Sequence, residues 1–314
     1  VKAIITSKYG SVEVLQPQDV ARPIIADDEI LVQVHACSVN PIDWKVRRGD
    51  FKILTGRKPP RILGEDYAGI VAEVGSKITR YQPGDAVWGF VETFKRGTYA
   101  EFVKVKAEEI GPKPENLSFE ETACLPLVGL TAYQALIQGG RLKKGDHILI
   151  NGASGGVGLA GVQIAKALGC KVTGVCSTNN LPIVRKMGAD EVIDYAKQDV
   201  LKCEGRYDIF FDVVANQSFS RVQRTLKPGG IYVRTLPSFE SLILGPLLNL
   251  IRAKKVRVLD CKASAKDLAI LRDLVENGNL VPIIEKVYPL EQVRAAHTRS
   301  ETGRVVGKLV LKVV

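Results

Sequence analysis

The feature that most constrains the fold is a glycine-dense turn, NGASGGVGLAGVQIAKALGC, running from Asn151 to Cys170. The residues before it, GDHILI (Gly145 to Ile150), end in the apolar run expected of a buried parallel strand. A helical pattern follows it, and KVTGVC (Lys171 to Cys176) reads as the next strand. Gly152, Gly155 and Gly158, with Gly156 among them, form a dinucleotide fingerprint with one extra residue in its first gap. Small residues are required in such a loop because the backbone must approach a pyrophosphate, whose charge is then held by N–H groups opening a helix. Ser154, Gly155, Gly156 and Val157 are therefore the expected phosphate contacts, and a purely structural turn is the competing reading.

Around this unit the chain has two textures. From about Glu120 strands and helices alternate, with DEVIDY (Asp190 to Tyr195), YDIFFDVV (Tyr207 to Val214) and GGIYVRT (Gly229 to Thr235) as further strands. Strands spaced by roughly 20 residues with helices between them predict a doubly wound parallel sheet, placed here at residues 119–263. The first third instead carries short β-branched runs cut by Gly, Pro and Asp, such as EILVQVHACSV (Glu29 to Val39) and YAGIVAEVGS (Tyr67 to Ser76). These predict a twisted, barrel-like β domain over residues 1–118, which residues 264–314 rejoin through GRVVGKLVLKV (Gly303 to Val313).

The end of the second strand decides which dinucleotide is favoured. Chains that bind NAD place an acidic residue there to accept from the ribose hydroxyls. VCSTNNLPIVRK, Val175 to Lys186, has none. Ser177, Thr178, Asn179 and Asn180 can donate to a 2′-phosphate, with Arg185 and Tyr195 adding to its binding. At about 1.5–3 kcal/mol for each charge-assisted hydrogen bond, one or two of them give an expected preference for NADPH of about tenfold to thousandfold. For Lys186 a solvated helix face is the expected role.

Lys and Arg outnumber Asp and Glu by 44 to 34, which gives a net charge of +10. The charge is scattered, and the longest clusters are RAKKVR (Arg252 to Arg257) and KVRR (Lys45 to Arg48), so no nucleic-acid partner is expected. Six cysteines without a CxxC pair predict reduced thiols, hence a cytoplasmic or similar compartment. No apolar run reaches the roughly 18 residues of a membrane span. SLILGPLLNLI, Ser241 to Ile251, is read as a buried helix or a lid, with peripheral membrane contact as the alternative. His35, His147 and His297 do not cluster and are expected to be structural, and Ser154 has no triad partners.

Taken together, SVNPIDWKVRRG (Ser38 to Gly49), GEDYAGIVAEVGS (Gly64 to Ser76), GDAVWGF (Gly84 to Phe90), LPLVGLTAYQAL (Leu125 to Leu136), the glycine loop, MGADEVIDY (Met187 to Tyr195) and GRVVGKLVL resemble the medium-chain dehydrogenase/reductase superfamily. The similarity is to its zinc-free quinone oxidoreductase and enone reductase branch, including the chloroplast-envelope type. It implies a GroES-like β-barrel catalytic domain beside a Rossmann domain. It also implies transfer of hydride from NADPH to the activated C=C of an enone or 2-alkenal, or to a quinone. A zinc-less NADPH-binding protein with a scaffold or RNA-binding role is the alternative. Where zinc-dependent relatives carry their catalytic ligands this sequence has Asn40, Glu65 and Leu127, a set that does not suit zinc. The resemblance further implies that Asn40, Asp43 and Lys45 lie where substrate meets nicotinamide, with Lys45 as electrophile or proton donor. An ion pair within DWK beside Trp44 is the rival reading for Lys45. Thr131 is implied at the nicotinamide ribose, with an N-cap as its rival, and Tyr195 near the adenine phosphate. Ala215, Asn216 and Leu236 are implied at the nicotinamide end, and Lys308 either near the cofactor or on the surface. Relatives of this kind are homodimers joined through the cofactor sheet, which sets the expectation for this chain.

Overall fold

The computed structural model describes residues 1–59, 61–92, 96–236 and 254–314. They fall into two compact units, Val1–Leu127 with Lys262–Glu276 and Pro282–Val314, and Val128–Cys261 with Asn277–Val281. The Ser241 to Ile251 stretch lies outside the described residues.

In the first unit β1 (Lys2–Thr6) and β2 (Leu15–Asp19) form an antiparallel pair. A seven-stranded sheet takes β3 (Glu29–Val39), β4 (Asp66–Val74), β5 (Ala86–Phe90), β6 (Phe102–Lys106) and β7 (Ile110–Pro112). Two helices, α1 (Pro41–Arg48) and the short α2 (Lys52–Thr55), separate β3 from β4, and α3 (Phe119–Ala123) follows β7. Ile30, Leu31, Val32, Val34, Ala36 and Cys37 of β3 are all buried, so this strand is covered on both faces. It ends at Asn40, where Pro41 supplies a φ suited to a first helical turn and Asp43 Oδ2 accepts the Asn40 N–H at 2.7 Å. Gly49, at φ +94°, closes α1 in the left-handed conformation that side chains resist.

The division between the units falls within α4 (Pro126–Gln134). The second unit then runs through β8 (His147–Asn151), α5 (Gly156–Ala167), β9 (Lys171–Cys176), α6 (Leu181–Lys186), β10 (Glu191–Asp194), β11 (Tyr207–Asp212), α7 (Phe219–Val222), β12 (Leu226–Arg234) and β13 (Lys255–Val258). The six strands are parallel in the order β10-β9-β8-β11-β12-β13. Every residue of β8 is buried, its polar ends His147 and Asn151 as well as the apolar Ile148–Ile150, and Leu149, Val175, Phe210 and Tyr232 belong to one core. The chain then returns to the first unit with α8 (Ala265–Glu276), β14 (Ile284–Pro289), α9 (Val293–Glu301) and β15 (Lys308–Lys312). There β15 is inserted between β14 and β3. Both predicted architectures, the GroES-like β unit and the Rossmann sheet, are present. Among the described residues no helix is long and apolar enough to cross a membrane.

Candidate functional site

In the second unit the chain runs outward from β8 through β9 to β10 and then crosses to β11 on the other side of β8. Ligands of open parallel sheets bind outside the carboxyl ends of the strands at such a switch. The two strand ends that meet there are joined by side chains, for Asn151 Nδ2 donates to Asp212 Oδ1 at 2.8 Å.

Three glycines of the adjacent loop are required for three different reasons. Gly152 sits at φ +85°. A Cβ on Gly158 would fall 2.2 Å from the Gly152 carbonyl oxygen and 2.6 Å from Ala153 Cα, so this residue lets α5 pack closely. Gly155, at φ −79°, has ordinary backbone, and a Cβ there would meet nothing nearer than 3.8 Å. Its smallness answers no need of the protein's own packing. It opens the space in front of the first turn of α5, where the N–H groups of Gly156 and Val157 have no helical carbonyl to bond. The loop residues thus fit the phosphates of a dinucleotide.

Asn180 Nδ2 donates to Ser154 Oγ at 3.0 Å, which ties the end of β9 to the glycine loop. Ser177 leads into the short helical turn of Thr178–Asn180. In the register of the sheet Asp194 stands beside Cys176, so a carboxylate does lie near this strand end, on the neighbouring strand. Its Oδ2 accepts the Thr178 hydroxyl at 2.5 Å and its Oδ1 the Ala196 N–H at 3.0 Å. The Thr178 hydrogen bond holds this carboxyl below the usual range. Arg185 is exposed, and so is Tyr195.

At the other end of the row Asp212 was missed by sequence reasoning, although an acid closing an apolar strand before a loop is a readable signal. Fully buried, it accepts from Asn151, from the Ala215 N–H at 2.9 Å, from the Gln217 N–H at 3.0 Å and from the Tyr232 hydroxyl at 2.9 Å. These bonds fold the loop that carries Ala215 at φ +58°, an uncommon conformation for alanine. Arg234 donates to the Ala215 carbonyl at 2.9 Å and to the Leu236 carbonyl at 2.6 Å, and Asn216 Oδ1 accepts from Asn151 at 2.9 Å. Thr131, largely buried, lies inside α4 and so is not that helix's N-cap.

Two strand registers assemble the polar cluster of the first unit. Val39 faces Leu309, which brings Lys308 beside Asn40, and Cys37 faces Tyr67, which brings Ser38 beside Asp66. Asp66 is fully buried, and its Oδ2 accepts from Ser38 at 2.5 Å and Asn40 Nδ2 at 2.7 Å and pairs with the Lys308 ammonium at 3.3 Å. Its Oδ1 accepts the Leu127 N–H at 2.6 Å. Lys308 also donates to Asn40 Oδ1 and to the Val39 carbonyl. It is buried, which removes the surface alternative, and of its partners Asn40 alone is among the residues expected around the substrate.

This donor set does not fit a zinc ion. The Asn40 oxygen already faces an ammonium, Leu127 offers only a backbone N–H, and burial with Asp43 and Asp66 nearby pushes the Glu65 carboxyl well above its usual range. Among the described residues no three His, Cys, Asp or Glu side chains are grouped to hold a metal. Asp43 is buried too, and burial raises its carboxyl to about 6 against the hydrogen bonds from Asn40 and Tyr99. Lys45 does not pair with it; its ammonium lies 5.6 Å from the centre of the Trp44 ring, a cation–π contact that Arg48 shares at 5.5 Å.

A parallel sheet with this loop, in a chain that also carries this buried cluster, points to a nicotinamide-dependent dehydrogenase or reductase. Comparison with known proteins agrees. Residues 26–115 match the alcohol dehydrogenase GroES-like domain family and residues 187–311 the zinc-binding dehydrogenase family. The chain is 36% identical to the mitochondrial NAD(P)H oxidoreductase RTN4IP1 of Mus musculus over 99% of its own length and 89% of the relative's. It is 32% identical to the 2-methylene-furan-3-one reductase of Solanum lycopersicum, over 99% and 78%. The crystal structure of Escherichia coli quinone oxidoreductase complexed with NADPH superposes with a TM-score of 0.88 at 27% identity and covers both chains fully. The chain belongs to the medium-chain dehydrogenase/reductase superfamily, in its quinone oxidoreductase branch. It is an oxidoreductase whose fold binds a nicotinamide cofactor.

Proposed function

We propose that the protein is a zinc-independent, NADPH-dependent reductase of activated double bonds in α,β-unsaturated carbonyl compounds, or of quinones. The observation that carries this reading is the buried Lys308–Asn40–Asp66 cluster, in which Asn40, at the position of a zinc-dependent relative's first ligand, is held by Lys308 and Asp66 instead. Without a Lewis acid, activation falls to hydrogen bonds and to conjugation in the acceptor itself, which enones and quinones provide. The names of the tomato reductase and of the NADPH-bound quinone oxidoreductase support the same choice.

The cofactor, when bound, supplies hydride, and this chain's residues do the rest. Ser154, Gly155, Gly156 and Val157 hold the pyrophosphate, and Ser177, Asn180, Arg185 and Tyr195 take the adenosine phosphate end. Thr131, Ala215, Asn216 and Leu236 hold the nicotinamide end, and Lys308 fixes Asn40. Among the described residues no free carboxylate stands beside Ser177, Asp194 being engaged by Thr178, and this favours NADPH over NADH. Asn40 positions the substrate, and Asp43 exchanges a proton with it. Lys45 stands beside Trp44 as a donor to the developing oxyanion, a contact worth about 3–4 kcal/mol where it is made. The six free cysteines suit a reducing compartment, cytosol or organelle, and we take the active form to be a homodimer.

The test is the loss of NADPH absorbance with a short enone, a long-chain enone, a 2-alkenal and a simple quinone, repeated with NADH. Turnover of an enone or the quinone with NADPH, at least tenfold above NADH, is expected. Tight NADPH binding without turnover of any of them overturns the reading in favour of a binding protein.

A further inference from the structure

Behind Asp43, the one member that the reaction above uses, runs a buried line of side chains that it does not. Tyr99, fully buried, donates its hydroxyl to Asp43 Oδ2 at 2.8 Å. Its oxygen lies 3.2 Å from His297 Nε2, and His297 Nδ1 lies 3.3 Å from Arg47 Nη1. Arg47 is fully buried and anchored by the Gly10 carbonyl at 3.2 Å and by Glu301.

The chemistry of one group sets the direction of the whole line. A guanidinium only donates, so His297 Nδ1 must accept and the ring proton must sit on Nε2. Nε2 then donates to the Tyr99 oxygen, and the Tyr99 proton is left for Asp43. Burial and Arg47 hold the imidazole down to about 3, so it stays neutral and keeps this tautomer. Asp43 Oδ2 thus receives two donors, Tyr99 and the Asn40 N–H, while Oδ1 receives none among the described residues.

We propose that Tyr99 and His297 are positioning residues that relay the fixed charge of Arg47 to Asp43 through a one-way chain of donors, pinning Oδ2 and leaving Oδ1 to exchange a proton with the substrate. This rests on the reduction proposed above, in which hydride on one carbon and a proton from Oδ1 on the next saturate the double bond, and water reprotonates the carboxylate. The chain opposes other influences on Asp43. The thiol of Cys37 and the carboxyls of Glu65 and Asp66 face it, as does the Lys308 ammonium, while Tyr99 meets it through its hydroxyl. Burial and Asp66 push the carboxyl up, whereas the donors and Lys308 pull it back towards the range in which a group exchanges protons near neutrality.

The experiment follows the infrared carboxyl band of Asp43, identified by difference from Asp43→Asn, through a pH titration of the full chain. The pH dependence of kcat/KM for enone reduction is measured alongside. Tyr99→Phe is expected to move the Asp43 midpoint upward by about one to two pH units, the size of one hydrogen bond lost from a charged group. His297→Leu moves it upward as well. His297→Gln restores it to within a few tenths of a unit, because an amide accepts from Arg47 and donates to Tyr99 without titrating. Equal midpoints in wild type and His297→Leu overturn the proposal, and so does a Gln variant that behaves like the Leu variant. A shifted infrared midpoint with an unmoved kcat/KM profile overturns the role of Asp43 in proton exchange. If no enone or quinone reacts, the reaction has failed while the infrared comparison still decides the chain, and the His297 pair decides it should Tyr99→Phe not fold.

Discussion

Gly155→Ala separates a cofactor loop from a tight turn. At φ −79° and ψ 171° the backbone of Gly155 suits alanine, and the added Cβ would have nothing within 3.8 Å. The substituted chain is therefore expected to unfold within about 0.5 kcal/mol of wild type in urea. A methyl group in front of α5 nevertheless displaces a pyrophosphate from the helix N–H groups. Loss of one charge-assisted hydrogen bond, about 1.5–3 kcal/mol, weakens NADPH binding by about tenfold to hundredfold, read by calorimetric or fluorescence titration. Gly158→Ala is the control with the opposite pattern. Its Cβ would meet backbone at 2.2 Å, so overpacking costs about 1–3 kcal/mol of stability. A Gly155→Ala protein that binds NADPH like wild type would refute the assignment of this space to a phosphate, and one that unfolds as easily as Gly158→Ala would refute the steric argument.

Ser177→Asp supplies the carboxylate missing at the end of β9 and is expected to lower the kcat/KM ratio of NADPH over NADH at least tenfold, measured by initial rates with each cofactor. Lys308→Met leaves Asp66 buried without its ammonium, and urea unfolding should show a loss of about 3–5 kcal/mol. His297 makes stability depend on pH in a definite sense. Its imidazole is held near 3 in the fold, so the unfolded chain takes up a proton as the pH falls below about 6.5, and about 2 kcal/mol is lost between pH 7 and pH 5. His297→Gln should flatten that part of the profile, while Asp43, raised to about 6, works in the opposite sense over the same range.

Legibility from sequence followed contact distance along the chain. The glycine loop, its flanking strands and the residues after β9 interact over about 20–30 positions, so composition and spacing alone outlined that half of the site, and Asn180 does meet Ser154. The first unit is assembled from distant residues. Asp66 and Lys308 are 242 positions apart, and Tyr99 and His297 are 198 apart. Family likeness brought Asn40, Asp43 and Lys308 to notice one by one, and only the register of β3 with β4 and β15 shows which of them touch. His297 was read as structural because a solitary histidine carries no pattern, and its direction as a donor depends on Arg47, which no local motif connects to it.

The placement of β15 between β14 and β3 also orders the life of the nascent chain. Val128–Cys261 leaves the ribosome as one continuous stretch, whereas the unit begun by the first 127 residues must wait for its last strand. Until then the Ala36–Val39 edge of β3 stands open, the kind of edge on which chains aggregate. Over the same interval Asp66 has no cation to offset its burial. A ribosome that stalls before Lys308 therefore releases a chain whose second unit is complete and whose first cannot close, and a chaperone that covers one strand edge is the assistance this topology calls for.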